Sequence, residues 1–179
     1  MRKPVFIAAH VFFLLMFAAA VPMSIRAADE QLENRLKAAF LLNFAKFTRW
    51  PKDVSTTSEF KLCLVGDNPL GGAADELAGK IVNGRPISIE VVKDVSIIRP
   101  CNTVFLSRLA KGDTSKLIDA VSGHSRLTVS DREGFAAQGG IIELRIFNNR
   151  LGFIINNTRA KQDDISLSAS LLNLAHEVL

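Results

Sequence analysis

The sequence predicts an α/β fold: a mostly parallel sheet with helices on both faces and a late antiparallel hairpin. Three observations carry this reading. Short apolar runs with strand character, at Phe60 to Val65, Ile87 to Val91, Thr103 to Leu106 and Leu127 to Val129, alternate with segments of helical or turn character. That order produces parallel strands joined by crossovers. Ile142, Leu144 and Ile146 alternate on one side of Asn148-Asn149, and Leu151, Phe153 and Ile155 on the other, which reads as a hairpin. Finally, a long amphipathic stretch precedes the strands and supplies a helix to cover them.

Taken in order, the first element is an export leader. Arg2 and Lys3 are followed by the apolar run Val5 to Ala20, interrupted only by His10, and then by Pro22 and the small residue Ala27. A basic start, an apolar core and a small-residue site make a cleavable signal peptide over residues 1–27. The run is about 16 residues, short of the roughly 20 that span a bilayer as an anchor helix. Residues 28–179 then form one domain, long enough to bury its own core. The leader also distorts the charge. The chain has 22 basic and 18 acidic side chains, a formal +4. Removing Arg2, Lys3 and Arg26 from the 22 leaves 19 against 18, about +1. The basic sequence pI of about 9.3 therefore does not argue for nucleic acid, and no second apolar run inserts in a membrane.

From Asp29 to Trp50, Leu32, Leu36, Ala39, Phe40, Asn43/Phe44 and Phe47 recur at three and four, one face of a helix. Trp50-Pro51 ends it, since proline disfavours helical backbone in the residue before it. After the strand at Phe60 to Val65 come the turn Gly66 to Gly72 and a short helix, Ala73 to Ala78. Asn83-Gly84 turns the chain into the next strand. Asp113 or Thr114 caps a helix carrying Leu117, Ile118 and Val121 on one face. Ser166 or Ser168 opens a last helix whose Leu167, Leu171, Leu174, Ala175 and Val178 share a face.

Two strand-end loops are candidate ligand or partner sites, because open α/β sheets bind at the carboxyl ends of their strands. The first holds Gly66, Asp67, Asn68, Gly71 and Gly72; the second holds Ser130, Asp131, Phe135, Gly139 and Gly140. Each also reads as plain structure: Gly66 to Gly72 as a tight turn, Asp131 as a turn cap and Phe135 as a core anchor. Neither loop has the glycine spacing of a dinucleotide fingerprint or the G-K-[ST] of a P-loop. Histidine occurs only as His10, His124 and His176, and no G-x-S-x-G elbow is present. The reading therefore assigns no catalytic residue, metal or cofactor. Cys63 and Cys101 are the only cysteines. In an oxidising compartment an even count points to a disulfide, with two buried thiols as the other possibility.

Several stretches in series resemble one family. They are Lys37 to Pro51, Leu62 to Pro69, Leu77 to Lys80 with Val82 to Pro86, Cys101 before Val104 to Ser107, Leu127 to Gly140, Phe153 to Asn156, and Leu171 to Ala175. In this order they are similar to the YfiR-like periplasmic proteins. The resemblance implies a Rossmann-like, doubly wound domain, often a homodimer, with Cys63 bonded to Cys101. It also implies repression of an inner-membrane diguanylate cyclase through its periplasmic sensor part, lowering cyclic-di-GMP and biofilm formation. Some relatives carry a second cysteine pair, which this chain lacks. The alternatives are a periplasmic small-ligand receptor feeding a sensor kinase or another membrane signalling protein, and an enzyme on the same scaffold, which fold analogy alone supports.

Overall fold

The structure, a computed structural model, describes residues 23–51, 58–67, 69–93, 101–108, 110, 112–122 and 125–179, with side chains from residue 28 onward. The chain divides into two units, Met1–Leu32 and Glu33–Leu179. The predicted leader falls outside the described residues as far as Pro22. Helix α1, Met23–Lys46, opens in the first unit and continues into the second; everything below concerns the second.

Helix α1 stops at Lys46, four residues before the predicted end. The reason is tertiary pairing: Thr48–Arg49 (β1) forms an antiparallel ladder with Ser166–Leu167 (β9). The Thr48 hydroxyl donates to the Phe44 carbonyl at 2.6 Å, satisfying a carbonyl of the last helical turn.

Among the described residues the main sheet has eight strands. These are β2 (Phe60–Val65), β3 (Ile81–Val82), β4 (Arg85–Val92), β5 (Thr103–Leu106), β6 (Leu127–Ser130), β7 (Ile142–Phe147), β8 (Arg150–Ile155) and β10 (Glu177–Val178). Their order is β10-β8-β7-β6-β5-β2-β4-β3. Strand β2 runs parallel to both β4 and β5, and β5–β6, β6–β7 and β8–β10 are also parallel. In this sheet, the antiparallel pairs among the described residues are β3–β4 and the hairpin β7–β8. The mostly parallel sheet and the late hairpin are thus as predicted. Asn148 and Asn149 both take positive φ, 47° and 60°, the backbone that a two-residue hairpin needs to match strand twist.

Successive residues of β2 feed opposite faces, as the pleat requires. Phe60, Leu62 and Leu64 join the larger core with Leu41 and Phe44 of α1. Cys63 and Val65 join a second core with Val104, Leu106 and helix α2, Thr114–Val121, through its Leu117, Ile118 and Val121. Cys63 and Cys101 are disulfide-bonded with Cα atoms 5.9 Å apart, so the two-thiol reading is set aside.

Two helical expectations are corrected. Residues Ala73 to Ala78 form no α-helix; a 3-10 turn, Gly71–Ala74, stands there. Gly79 N–H then donates to the Ile87 carbonyl and Ile87 N–H to the Lys80 carbonyl, drawing the segment into the β3–β4 hairpin before a helix can propagate. The predicted last helix is also divided. Ser166–Leu167 is β9, Ser168 caps the short helix α4 (Ala169–Leu174), and Val178 belongs to β10. Here the apolar side chains recur at helical spacing, but the backbone is taken by edge pairing with β1 and β8. Helix α3, Asn157–Gln162, capped by Asn156, went unpredicted because its polar sequence shows no apolar period.

Helix α2 is capped as expected. The Asp113 carboxylate accepts from the Ser115 hydroxyl and from the amides of Ser115 and Lys116. These bonds, the Ser115 hydroxyl first, hold its pKa below the ordinary aspartate value. A depressed folded pKa means the cap is complete above the unfolded value and lost as pH falls through the folded one. Amide-exchange protection of Leu117 and Ile118 is therefore expected to fall on acidification through and below the ordinary aspartate range. In Asp113→Asn, whose cap does not titrate, that fall should vanish.

Candidate functional site

Strand β6 ends at Ser130, and the next residue organises the site. The Ser130 hydroxyl donates to the Leu106 carbonyl at 2.6 Å and accepts from Arg132 N–H at 3.0 Å, so it ties strands together. Asp131 turns its carboxylate towards α1. Its Oδ2 lies 2.6 Å from Lys37 Nζ, and its Oδ1 accepts the Arg108 amide at 2.6 Å. Lys37 Nζ is also 2.6 Å from Glu33, one helical turn away. Lys37 and Asp131 are only 3% and 6% exposed. Burial of two charges is tolerated because each has an opposite partner and a hydrogen bond. The exposed Arg108 guanidinium borders the pair, 3.7 Å from Glu33 and 4.0 Å from Asp131.

These groups form one wall of a cleft of about 360 Å³, which also touches Leu144, Ile146 and Leu151 of the hairpin. Arg145 supplies the other wall, 2.9 Å from Glu143 and 3.4 Å from Glu133. The buried Glu143 carboxylate accepts the amides of Gly134 and Ala136 at 3.2 and 3.1 Å, which fixes the loop that follows Asp131. The result is an open, amphiphilic recess with paired charges on its walls and aliphatic side chains from the hairpin.

Phe135 does not line this cleft. It is fully buried in the second core with Val121 and Leu106, the anchoring role. Gly140 exists to admit it, since a Cβ there would overlap the Phe135 ring. Gly140→Ala is expected to destabilise by about 1–3 kcal/mol through overpacking. Adding Phe135→Leu should recover part of that loss in chemical denaturation, a non-additivity that independent sites would not show. Gly139 sits in the same loop at φ +105°.

None of the described residues of the first predicted loop lines the cleft. Gly66, at φ +129°, lets β2 approach the segment after β5; a Cβ would stand 3.3 Å from Ala110 N and from Ser107 Cβ. That segment occupies the point where the chain order reverses around β2. Arg132 fastens it, donating to the carbonyls of Ser107, Ala110 and Gly112 and to the Thr114 hydroxyl. Asp67 is exposed, 4.0 Å from the more exposed Lys93. Gly71 starts the 3-10 turn at φ +52°, Gly72 has open space around it, and Asn68 lies outside the described residues. Sequence reasoning missed Glu33, Lys37, Arg108, Glu143 and Arg145. Only Glu33 and Lys37 left a trace, the i,i+4 spacing of an ion pair.

A family model described as YfiR/HmsC-like matches residues 34–176, which includes every residue of the cleft except Glu33. The chain belongs to the YfiR/HmsC-like family. YfiR/HmsC-like proteins are periplasmic regulators rather than catalysts. Among the described residues, no helix is long and apolar enough to cross a membrane. Among solved structures, a conserved domain protein from Vibrio cholerae O1 biovar eltor str. N16961 is similar at 12% identity with a TM-score of 0.48. The match covers 66% of this chain and 54% of that one, so this YfiR/HmsC-like chain spans about half of its length.

Proposed function

We propose that this chain is an exported repressor of an inner-membrane diguanylate cyclase, acting by contact with the cyclase's periplasmic sensor part. The observation that carries the reading is the family match across residues 34–176; the cleft at Asp131 supplies a contact surface with both charge and apolar area. A repressor of this kind needs no chemistry. Binding the inactive sensor conformation more tightly than the active one moves the cyclase towards inactivity, and lower cyclic-di-GMP and less biofilm follow. In this reading the domain is doubly wound, Rossmann-like and homodimeric, and residues 1–27 deliver it to the periplasm.

Affinity capture from membranes tests the contact. The tagged protein should retain a membrane protein with a periplasmic sensor and a cyclase domain. Arg108→Glu, an exposed change at the cleft rim, should weaken retention. Retention of other membrane proteins but no cyclase would refute the reading.

The cleft volume of about 360 Å³, within the range of small-molecule sites, favours one second reading: a periplasmic small-ligand receptor. There, a metabolite between Lys37, Arg108 and Arg145 raises the melting temperature in a thermal-shift screen, and no cyclase is captured.

A further inference from the structure

Strand β10 covers only the end of its neighbour. It pairs with β8 at Glu177↔Ile154 and Val178↔Ile155, so Arg150, Leu151 and Gly152, bound to β7 on one side, have no strand on their outer side among the described residues. Their backbone direction follows from the bonds further along. His176 N–H donates to the Phe153 carbonyl at 2.8 Å and Leu179 N–H to the Ile155 carbonyl at 2.7 Å. Odd-numbered residues of β8 therefore turn their amides and carbonyls outward, while Glu143↔Ile154, Arg145↔Gly152 and Phe147↔Arg150 face inward on the hairpin. Leu151 thus presents one N–H and one C=O at the open edge.

A groove of about 580 Å³ lies against this edge. Leu174 stands beside it, 70% exposed and the most exposed large apolar side chain among the described residues. The Phe147 ring stacks on His176 with centroids 3.8 Å apart, adding a flat apolar wall. Arg150 brings a permanent positive charge, and no carboxylate is among the described lining residues.

We propose that this edge docks an extended segment of a partner protein, added as a strand alongside Arg150–Gly152, with an apolar side chain on Leu174 and a carboxylate on Arg150. Strand addition draws its affinity from main-chain bonds and its selectivity from side-chain pockets. The charge selects the occupant. A second copy pairing antiparallel through Leu151 would bring two Arg150 side chains onto one face in diagonal positions, which is repulsive. Arg150 thereby guards the edge against self-association and leaves it open to an acidic segment. The groove shares only Leu151 with the lining of the Asp131 cleft, and the proposal does not depend on which membrane protein is regulated.

The test is an NMR titration of the purified protein with a capped six-residue peptide of alternating glutamate and valine. Saturable shifts are expected at the Leu151 and Gly152 amides and the Leu174 methyls. Replacing glutamate by lysine in the peptide should weaken binding about tenfold, and Arg150→Glu should reverse that preference. Arg150 and Leu174 are exposed, so Leu174→Lys serves as a second variant that folds and should bind the acidic peptide less well. The proposal is overturned if no saturable shift occurs at these positions up to millimolar peptide, or if the shifts centre on Lys37, Arg108 and Asp131 of the other cleft. It is equally overturned if the protein dimerises through Leu151 without peptide.

Discussion

Replacing both Cys63 and Cys101 by alanine is expected to lower the unfolding free energy by about 4 kcal/mol, the loop-closure cost for cysteines 38 apart. The bond ties β2 to the residue that leads into β5, inside the second core. It also fixes the Cys101 carbonyl that the buried Arg126 guanidinium binds at 3.2 Å. A domain of this size has only about 5–15 kcal/mol to lose, so periplasmic yield should fall with it. The double variant is preferred because a lone cysteine left by a single change can pair wrongly. Urea unfolding of the oxidised protein and the variant measures the difference. A loss below about 1 kcal/mol would mean that the bond is dispensable for the fold.

The second large effect concerns Lys37 and Asp131. Asp131→Ala leaves Lys37 almost fully buried with Glu33 as its remaining carboxylate partner, and it removes the acceptor of the Arg108 amide. Breaking a buried pair from one side costs about 3–5 kcal/mol. Lys37→Met together with Asp131→Asn removes both charges while keeping volume and an amide acceptor, and should cost much less. The double-mutant cycle separates two accounts. Strong coupling identifies a mutual pair that pins α1 to the end of β6, whereas additivity would show the two groups acting independently.

How legible this was in the sequence depended on how locally each feature is determined. Strands β2, β4, β5, β6, β7 and β8 are apolar runs bounded by turns, and Asn148-Asn149 and Asp113 specify their turn and cap through their own backbone chemistry, so these were readable. Helix α3 was not, because Asn156 and its cap bond give it a start without an apolar face. The 3-10 turn at Gly71 and the split at Ser168 were misread for a shared reason. Edge pairing with β4, β1 and β8 claims the backbone there, and a single sequence carries no record of which distant strand will arrive. The same limit applies to the cleft. Asp131 was picked out by its place after a strand, but Lys37 meets it from 94 positions away. Glu143 and Arg145 gave no sign that one would be buried under the Gly134 and Ala136 amides.

The central claim, repression from the periplasm, is tested most directly by cellular cyclic-di-GMP in three strains. One lacks the gene, one is complemented with the full chain, and one is complemented with residues 28–179 bearing no leader. The account predicts that cyclic-di-GMP and surface attachment rise on deletion and return to normal only with the full chain. Unchanged cyclic-di-GMP on deletion, or equal rescue by the leaderless chain, would contradict it.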